Sequence, residues 1–204
     1  MCIRDRSFDQ DGYLILRNLF SKEEITVLQT EAARIAKLDT EGIIKENKTS
    51  TPKIMLRMHD PESPTSSPAY VVAARLPRVL GAAQQVLRTR DLYLHHSKIN
   101  IKGAIEGSVW PWHQDFGHWY REGCLSPDML SIGIALTPMN QDNGSLNFIR
   151  CSHKFGRIDH VPTGHSNSAD PEYVTEALKR HEVVPCILNP GAVSYTHLTL
   201  PTKA

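Results

Sequence analysis

The chain has little of what marks secreted, membrane or nucleic-acid-binding proteins. It contains four cysteines with no CxxC pair and no regular spacing, Cys2, Cys124, Cys151 and Cys186, which argues against a disulfide framework or a zinc ribbon. No apolar run approaches membrane-spanning length, and the N-terminus lacks the apolar segment of a signal peptide. The net charge of +1 indicates no nucleic-acid or membrane partner. We therefore expect a cytoplasmic protein with reduced thiols.

The pattern of elements predicts a mainly β protein with flanking helices (α+β). Residues 13–16 are typical of a strand, and Ser21 and Glu24 are spaced as a capping box that starts a helix. Helices are predicted over 68–75 and 77–88, each with a proline in its first turn, and strands over 92–101 and 129–138. Residues 39–67 are predicted to form a long loop with a possible short strand at 53–58. The absence of βαβ alternation favours an antiparallel barrel or sandwich.

The most informative stretch is Trp-Pro-Trp-His-Gln-Asp-Phe-Gly-His-Trp, residues 110–119. His113 and Asp115 are two residues apart, and in a β-strand such residues project from the same face. An imidazole and a carboxylate are two members of the 2-His-1-carboxylate facial triad that holds Fe(II). The spacing alone is common, so at this point a metal site and a structural His–Asp pair both remain open.

Both ends of the chain match translated sequencing adapter. Residues 1–6 match the translation of one strand of a transposase adapter, and residues 193–202 match the translation of its reverse complement. We therefore expect residues 1–6 and 193–204 to be adapter-derived and residues 7–192 to be the natural segment.

Six short motifs together resemble one known family. They are Phe-Asp-Gln-Asp-Gly-Tyr at 8–13, Ser-Lys-Ile-Asn at 97–100, Trp-His-Gln-Asp-Phe at 112–116, Asn-Gly-Ser-Leu at 143–146, Ser-His-Lys at 152–154 and Pro-Gly at 190–191. In this order the chain resembles the phytanoyl-CoA dioxygenase family of Fe(II)- and 2-oxoglutarate-dependent oxygenases. The resemblance implies a double-stranded β-helix (jelly roll) over residues 7–192, incomplete at its C-terminus.

The resemblance also implies cofactors and site residues. Fe(II), 2-oxoglutarate as co-substrate and O2 would together hydroxylate a small-molecule substrate. His113 and Asp115 correspond to the first two iron ligands, and Asn100, Trp110 and Ser131 correspond to residues around 2-oxoglutarate. Trp119 corresponds to a residue on the substrate side. A carboxylate at 115 favours hydroxylation, because related halogenases have a small residue there that leaves space for chloride.

One departure from the family pattern bears on activity. The family's third ligand is a histidine eleven residues after the glycine of a Gly-Asp turn. Gly191 corresponds to that glycine, but Ala192 follows it, and Thr202 stands eleven residues on. The arginine that would clamp 2-oxoglutarate is also absent. We therefore expect an active parent protein and a fragment with weak metal binding and little turnover.

Two alternatives stay open. A non-catalytic jelly-roll binding domain or pseudoenzyme would use His113 and Asp115 as a structural pair, with Asp115 accepting a hydrogen bond. A metal-dependent hydrolase built on His-x-Asp would need a second ligand cluster, which the sequence does not offer. Neither the substrate nor the oligomeric state can be predicted from the sequence.

Overall fold

The fold is that of a computed structural model, which describes residues 3–46, 49–103, 110–163 and 166–203. It comprises two compact units. The first contains Met1–Asn18, Gln85–Leu87 and Val109–Ala204, and the second contains Leu19–Gln84 and Arg88–Ser108. Within the described ranges, no helix combines the length and apolarity needed to cross a bilayer.

The described residues contain six α-helices and eleven short strands. The helices are α1 Ile3–Asp11, α2 Lys22–Ile35, α3 Pro68–Arg75, α4 Pro77–Leu87, α5 Asp115–Arg121 and α6 Pro171–Arg180. The strands are β1 Tyr13–Leu16, β2 Ile43–Lys45, β3 Pro52–Leu56, β4 Lys98–Asn100, β5 Leu130–Ile134, β6 Asn147–Ile149, β7 His160–Thr163, β8 Ser166–Ala169, β9 Val183–Pro185, β10 Val193–His197 and β11 Thr202–Lys203.

The first unit is built on antiparallel strands. One sheet has the order β1-β10-β5 and another has the order β11-β6-β9, while β7 and β8 form a two-stranded pair. Apolar side chains from both three-stranded sheets and their connections form one core, which includes Ala135, Phe148, Leu188, Ala192 and Leu200. Burial of this apolar surface stabilises the sheets that carry the candidate site.

The second unit combines α2, α3, most of α4 and the antiparallel sheet β2-β3-β4. Its core contains Ile35, Ile43, Met55 and Met58. Helix α2 begins at the predicted capping box, because the Ser21 hydroxyl accepts the Glu24 N–H and the Glu24 carboxylate accepts the Ser21 N–H. This pairing satisfies two backbone donors that a helix start otherwise leaves without partners.

Several predicted elements are confirmed. Strand β1 has the predicted bounds, α3 has the predicted bounds, and α4 ends one residue earlier than predicted. The mixture of helices with antiparallel sheets is also as predicted. These elements depend mainly on local signals such as caps, first-turn prolines and β-branched runs, which are readable without tertiary information.

Other predictions were wrong. The strand predicted over 92–101 is shorter in the structure, where only β4 pairs in register with β3. The predicted loop over 39–67 contains β3, close to the possible short strand predicted at 53–58, and also β2, which was not predicted. His113 is a single bridging residue, and α5 begins two residues later at Asp115. Phe116 and Tyr120 explain the helix, since they lie four residues apart and their rings meet edge to face at 5.8 Å, which is helical spacing.

The C-terminal residues are integrated into the first unit. Strand β10, which falls within the stretch expected to be adapter-derived, lies between β1 and β5. Its Tyr195 is fully buried and pairs with Leu14 on one side and Ile132 on the other. This placement does not bear on the origin of residues 1–6 and 193–204, which stays a prediction.

Candidate metal centre

The side chains of His113 and Asp115 converge, although not by the predicted route. His113 lies in an isolated bridge and Asp115 occupies the first position of α5. The His113 Nε2 and Asp115 Oδ1 atoms are 3.7 Å apart, and both side chains are partly buried. Two adjacent ligands of one metal ion, each bonded at 2.0–2.2 Å, lie about 3 Å apart. Small side-chain adjustments would therefore let both atoms contact the same ion.

The His113 ring is oriented by its own main chain and by a facing strand. Its Nδ1 lies 2.9 Å from the Pro111 carbonyl oxygen, so Nδ1–H is the donor, and the neutral ring would present its lone pair at Nε2. The His113 backbone exchanges two hydrogen bonds of 2.8 Å with Thr202. A ligating histidine is usually held in this way, with its second ring nitrogen bonded to a carbonyl or carboxylate.

The Asp115 carboxylate is held from the neighbouring sheet. Ser131, on β5, donates from its hydroxyl to Asp115 Oδ2 at 2.6 Å. A hydrogen bond to a carboxylate at this distance is short and charge-assisted. It orients the Oδ1 atom toward His113 Nε2, and it defines a structural role for Ser131 in addition to the predicted one.

Gln114, the residue between the two candidate ligands, has a hydrogen-bond partner at every polar side-chain atom and at its backbone N–H. The Gln114 side chain is fully buried, and its amide nitrogen donates to the Gly156 and Thr199 carbonyls at 2.8 and 2.7 Å. Its amide oxygen accepts the Ile158 N–H at 2.9 Å. The Gln114 backbone N–H donates to His160 Nε2 at 3.0 Å. A buried amide with all its partners present fixes local geometry strongly.

Burial keeps the His160 ring neutral. Desolvation, assisted by the nearby His118 ring, lowers the pKa of His160 to about 4. The two rings lie 4.5 Å apart between centroids. Desolvation disfavours the charged form of an imidazole, so at neutral pH the His160 Nε2 atom is available as an acceptor.

Thr202 stands where a third ligand would be needed. Its hydroxyl oxygen lies 3.4 Å from His113 Nε2, and the two residues face each other in the bridge. A neutral threonine hydroxyl is a poor substitute for the imidazole of a facial triad. Across the described residues, no group of three His, Cys, Asp or Glu side chains could hold a metal ion.

Comparison with known proteins identifies the family. The model of the phytanoyl-CoA dioxygenase (PhyH) family matches residues 8–201. The chain belongs to this family. It is 34% identical over 182 residues to ectoine dioxygenase from Nocardia farcinica, covering 87% of this chain and 57% of that protein. It is 31% identical over 180 residues to L-proline trans-4-hydroxylase from Streptomyces griseoviridis, covering 87% of this chain and 65% of that protein.

Solved structures of a PhyH relative share the fold. The chain resembles EctD from S. alaskensis crystallised with 2-oxoglutarate and 5-hydroxyectoine, with a TM-score of 0.85 and 26% identity. The likeness covers 100% of this chain and 70% of that one, and EctD with bound Fe matches at a TM-score of 0.84. The predicted fold class, a double-stranded β-helix with flanking helices, is thereby confirmed. The chain spans about half to two thirds of the length of these curated relatives.

The other residues predicted from the PhyH resemblance are placed as follows. Trp119 lies on α5 four residues after Asp115, so the two positions share one helix face. Trp110 is partly buried. Asn100 is exposed at the end of β4 in the second unit. The roles of Asn100, Trp110 and Ser131 toward 2-oxoglutarate, and of Trp119 toward substrate, stay predictions.

Two residues around the candidate ligands were not found from the sequence. Gln114 is polar and lies between the two candidate ligands, and a polar residue flanked by Trp112 and Phe116 is a weak signal of a buried hydrogen-bonding role. His160 lies 46 residues further along the chain. Its sequence surroundings carry no metal-ligand spacing, so only the tertiary structure connects it to the site.

Proposed function

We propose that the intact protein is an Fe(II)- and 2-oxoglutarate-dependent dioxygenase that hydroxylates a small organic molecule. The observation that carries the proposal is the approach of His113 Nε2 to Asp115 Oδ1, at 3.7 Å, within the segment matched by the PhyH family. Membership of the family supports it, as do relatives described as ectoine dioxygenase and L-proline trans-4-hydroxylase.

Two of the three positions carry side chains that suit Fe(II), and the third does not. A neutral imidazole and a carboxylate are the ligand types of the facial triad in non-haem Fe(II) oxygenases. His113 has the tautomer that leaves Nε2 free to ligate, and Asp115 is oriented by Ser131. Thr202 offers only a hydroxyl beside them. We therefore expect the chain as given to bind Fe(II) weakly.

The chain's own residues would contribute binding, orientation and exclusion of water. In this proposal His113 and Asp115 hold the metal, and Ser131 keeps the Asp115 carboxylate in position. Asn100, Trp110 and Ser131 bind 2-oxoglutarate, while Trp119 lies against the substrate. Fe(II) with bound 2-oxoglutarate would supply the activation of O2. The carboxylate at 115 leaves no space for a halide ligand, so hydroxylation is the proposed outcome.

The proposed substrate is a small molecule, and the relatives' names suggest which to assay first. Ectoine and L-proline are the obvious starting compounds, because they name the activities of the relatives. A cytoplasmic location is proposed alongside, and no nucleic-acid or membrane partner is proposed.

The test is an oxygen-uptake and succinate-release assay on the complete gene product. Uptake should require both Fe(II) and 2-oxoglutarate, and Asp115→Ala should abolish it. Hydroxylated product should be identified by mass spectrometry, with chloride present in the buffer. A chlorinated product would contradict the assignment of hydroxylation, and uptake that survives Asp115→Ala would contradict the assigned ligand.

A second candidate is a jelly-roll binding domain without catalysis. The hydrogen bond from Ser131 to Asp115 favours it, because it would suit a structural His–Asp pair. It predicts a complete gene product that binds no iron and shows no 2-oxoglutarate-dependent uptake with any substrate. Iron bound at one equivalent and lost on His113→Ala would exclude it.

A further inference from the structure

We propose that His160 is a positioning residue that holds the main chain between the two candidate metal ligands. It does so by accepting the Gln114 backbone N–H at its Nε2 atom. The expected effect on metal binding rests on the proposed function. The hydrogen bond between His160 and Gln114 rests on geometry alone.

The geometry defines which nitrogen of the ring accepts. His160 Nε2 lies 3.0 Å from the Gln114 backbone nitrogen, which can only donate. Its Nδ1 lies 3.2 Å from the Ile158 carbonyl oxygen, which can only accept. The ring is therefore the neutral tautomer with the proton on Nδ1. The side chain is 2% exposed, so water cannot readily replace either partner.

The start of α5 is shaped to admit this ring. A methyl group added at Gly117 would come within 2.2 Å of the His160 Nδ1 and Cε1 atoms and within 2.8 Å of the Ile158 carbonyl oxygen. Real side chains do not approach so closely, so only glycine leaves space for the imidazole. The glycine three residues after Gln114 and the histidine form one packed contact.

The strand that carries His160 is itself attached to the same segment. His160 pairs with Ala169 in the β7–β8 ladder, and the Ala169 N–H donates to the Trp112 carbonyl at 2.8 Å. Trp112 packs against Ile158, Ala169 and Val174. The β7–β8 pair thus contacts the main chain just before His113 through Ala169 and just after it through His160.

The consequence concerns the angle between the candidate ligands. The Gln114 backbone is the only covalent link between His113 and Asp115, and its extended conformation, φ −122 and ψ 119, sets the turn into α5. A residue that fixes this peptide fixes the relative direction of the imidazole and the carboxylate. Outer contacts of this kind typically change metal affinity by about 10- to 100-fold when removed.

A matched pair of substitutions separates the hydrogen bond from packing. In His160→Gln the side-chain oxygen can reach the place of Nε2 and accept the Gln114 N–H. In His160→Asn the oxygen reaches only the place of Nδ1, so the acceptor is lost. The first measurement is amide hydrogen exchange at Gln114 by NMR. We expect protection in the wild type and in His160→Gln, and exchange faster by about tenfold or more in His160→Asn.

The second measurement is Co(II) binding, followed by its visible absorption, with His113→Ala as the reference for loss of the site. Affinity should fall about 10- to 100-fold in His160→Asn and recover in His160→Gln. Equal protection of Gln114 in the two variants, or an unprotected Gln114 in the wild type, would overturn the inference. A protected Gln114 in a complete gene product that gives no His113-dependent Co(II) spectrum would refute the proposed function and leave the backbone contact in place.

The wild type alone gives a further test if either variant fails to fold. The ring nitrogen chemical shifts of His160 report which nitrogen carries the proton. We expect the Nδ1–H tautomer, and an Nε2–H tautomer would overturn the inference because Nε2 could not then accept from Gln114.

Discussion

At the scale of single residues, the candidate centre is a series of polar contacts that links the two three-stranded sheets of the first unit. The Ser131 hydroxyl donates to Asp115, Asp115 faces His113, and the Thr202 hydroxyl lies 3.4 Å from the same imidazole. Polar groups arranged this way in a partly buried site hold one another in fixed rotamers. Each of them therefore affects the geometry of the two candidate ligands.

Ser131→Ala should weaken metal binding without unfolding the protein. It removes the 2.6 Å hydrogen bond to Asp115 Oδ2, so the carboxylate gains rotational freedom. We expect Co(II) affinity, titrated in the absence of 2-oxoglutarate, to fall about tenfold. Ser194→Ala is the matched control, because that hydroxyl donates to the Gly133 carbonyl in the same sheet, at 3.4 Å, and bonds to the Cys186 thiol. Neither partner is a candidate ligand, so the affinity should be unchanged. An equal loss in both variants would point to a general effect on the sheet.

Thr202→His should create a stronger metal site. The residue faces His113 in a two-bond bridge, so an imidazole there can point toward Nε2 of His113 and Oδ1 of Asp115. We expect the Co(II) affinity to rise by about tenfold or more, which is about 1.4 kcal/mol. Lys203→His is the control, since neighbouring strand residues project from opposite faces. If Lys203→His raised the affinity as much, the assigned position of the third ligand would be wrong.

At the scale of elements, helix α5 determines how the site is presented. It begins at Asp115, and Phe116 and Gly117 are its buried residues. The Phe116 N–H donates to the Leu198 carbonyl, and Arg121 donates to the His160 carbonyl. Trp119 therefore belongs to a helix that is hydrogen-bonded at both ends to other parts of the first unit, which restricts its movement.

Two helix glycines offer a matched test of the α5 packing. Gly117→Ala should lower the free energy of unfolding by about 1–3 kcal/mol, because the added methyl group meets His160 and the Ile158 carbonyl. Gly81→Ala lies within α4, where no described atom is within 4 Å of an added Cβ. It should raise the free energy of unfolding by up to about 1 kcal/mol. Urea unfolding would measure both, and a stabilising Gly117→Ala would contradict the placement of the His160 ring.

At the scale of the whole molecule, stability and the site share the same buried surfaces. The core of the first unit draws on both three-stranded sheets, and the Tyr13 and Phe148 rings meet at 5.1 Å within it. A buried histidine, His160, and a partly buried one, His153, lie in the same unit. Burial lowers the pKa of His153, and burial lowers that of His160 to about 4.

The free energy of unfolding should therefore depend on pH in the acidic range. The ordinary pKa of 6.5 is depressed in the fold, so the unfolded chain binds more protons than the folded one between pH 6.5 and about 4. The contribution of His160 is fully present above pH 6.5 and is lost as the pH falls toward 4, at about 1.4 kcal/mol per unit of pKa difference. Urea unfolding from pH 7.5 to 4 would show the slope. His160→Gln should flatten it, and an unchanged slope would contradict a neutral buried His160.

The features that could be predicted from the sequence depend on interactions between residues close together in the chain. The capping box at Ser21, the strand at Tyr13–Leu16 and the helices after Pro68 and Pro77 follow from residues close together in the chain. His113 and Asp115 were also found locally, because their residue types and spacing match the ligands of a known family. Even there the predicted strand was wrong, since Phe116 and Tyr120 pack at helical spacing. The side chains of His113 and Asp115 instead converge where helix α5 begins.

Only the tertiary structure decided which distant residues support that pair. Ser131 was expected near 2-oxoglutarate, and it also bonds to Asp115 across 16 residues. His160 reaches Gln114 across 46 residues, and Thr202 reaches His113 across 89. A hydrogen bond depends on distance and direction in space, and a linear pattern contains neither for residues brought together by sheet pairing. The amino-acid sequence therefore determined the family and its two candidate ligands, whereas folding determined how those ligands are held.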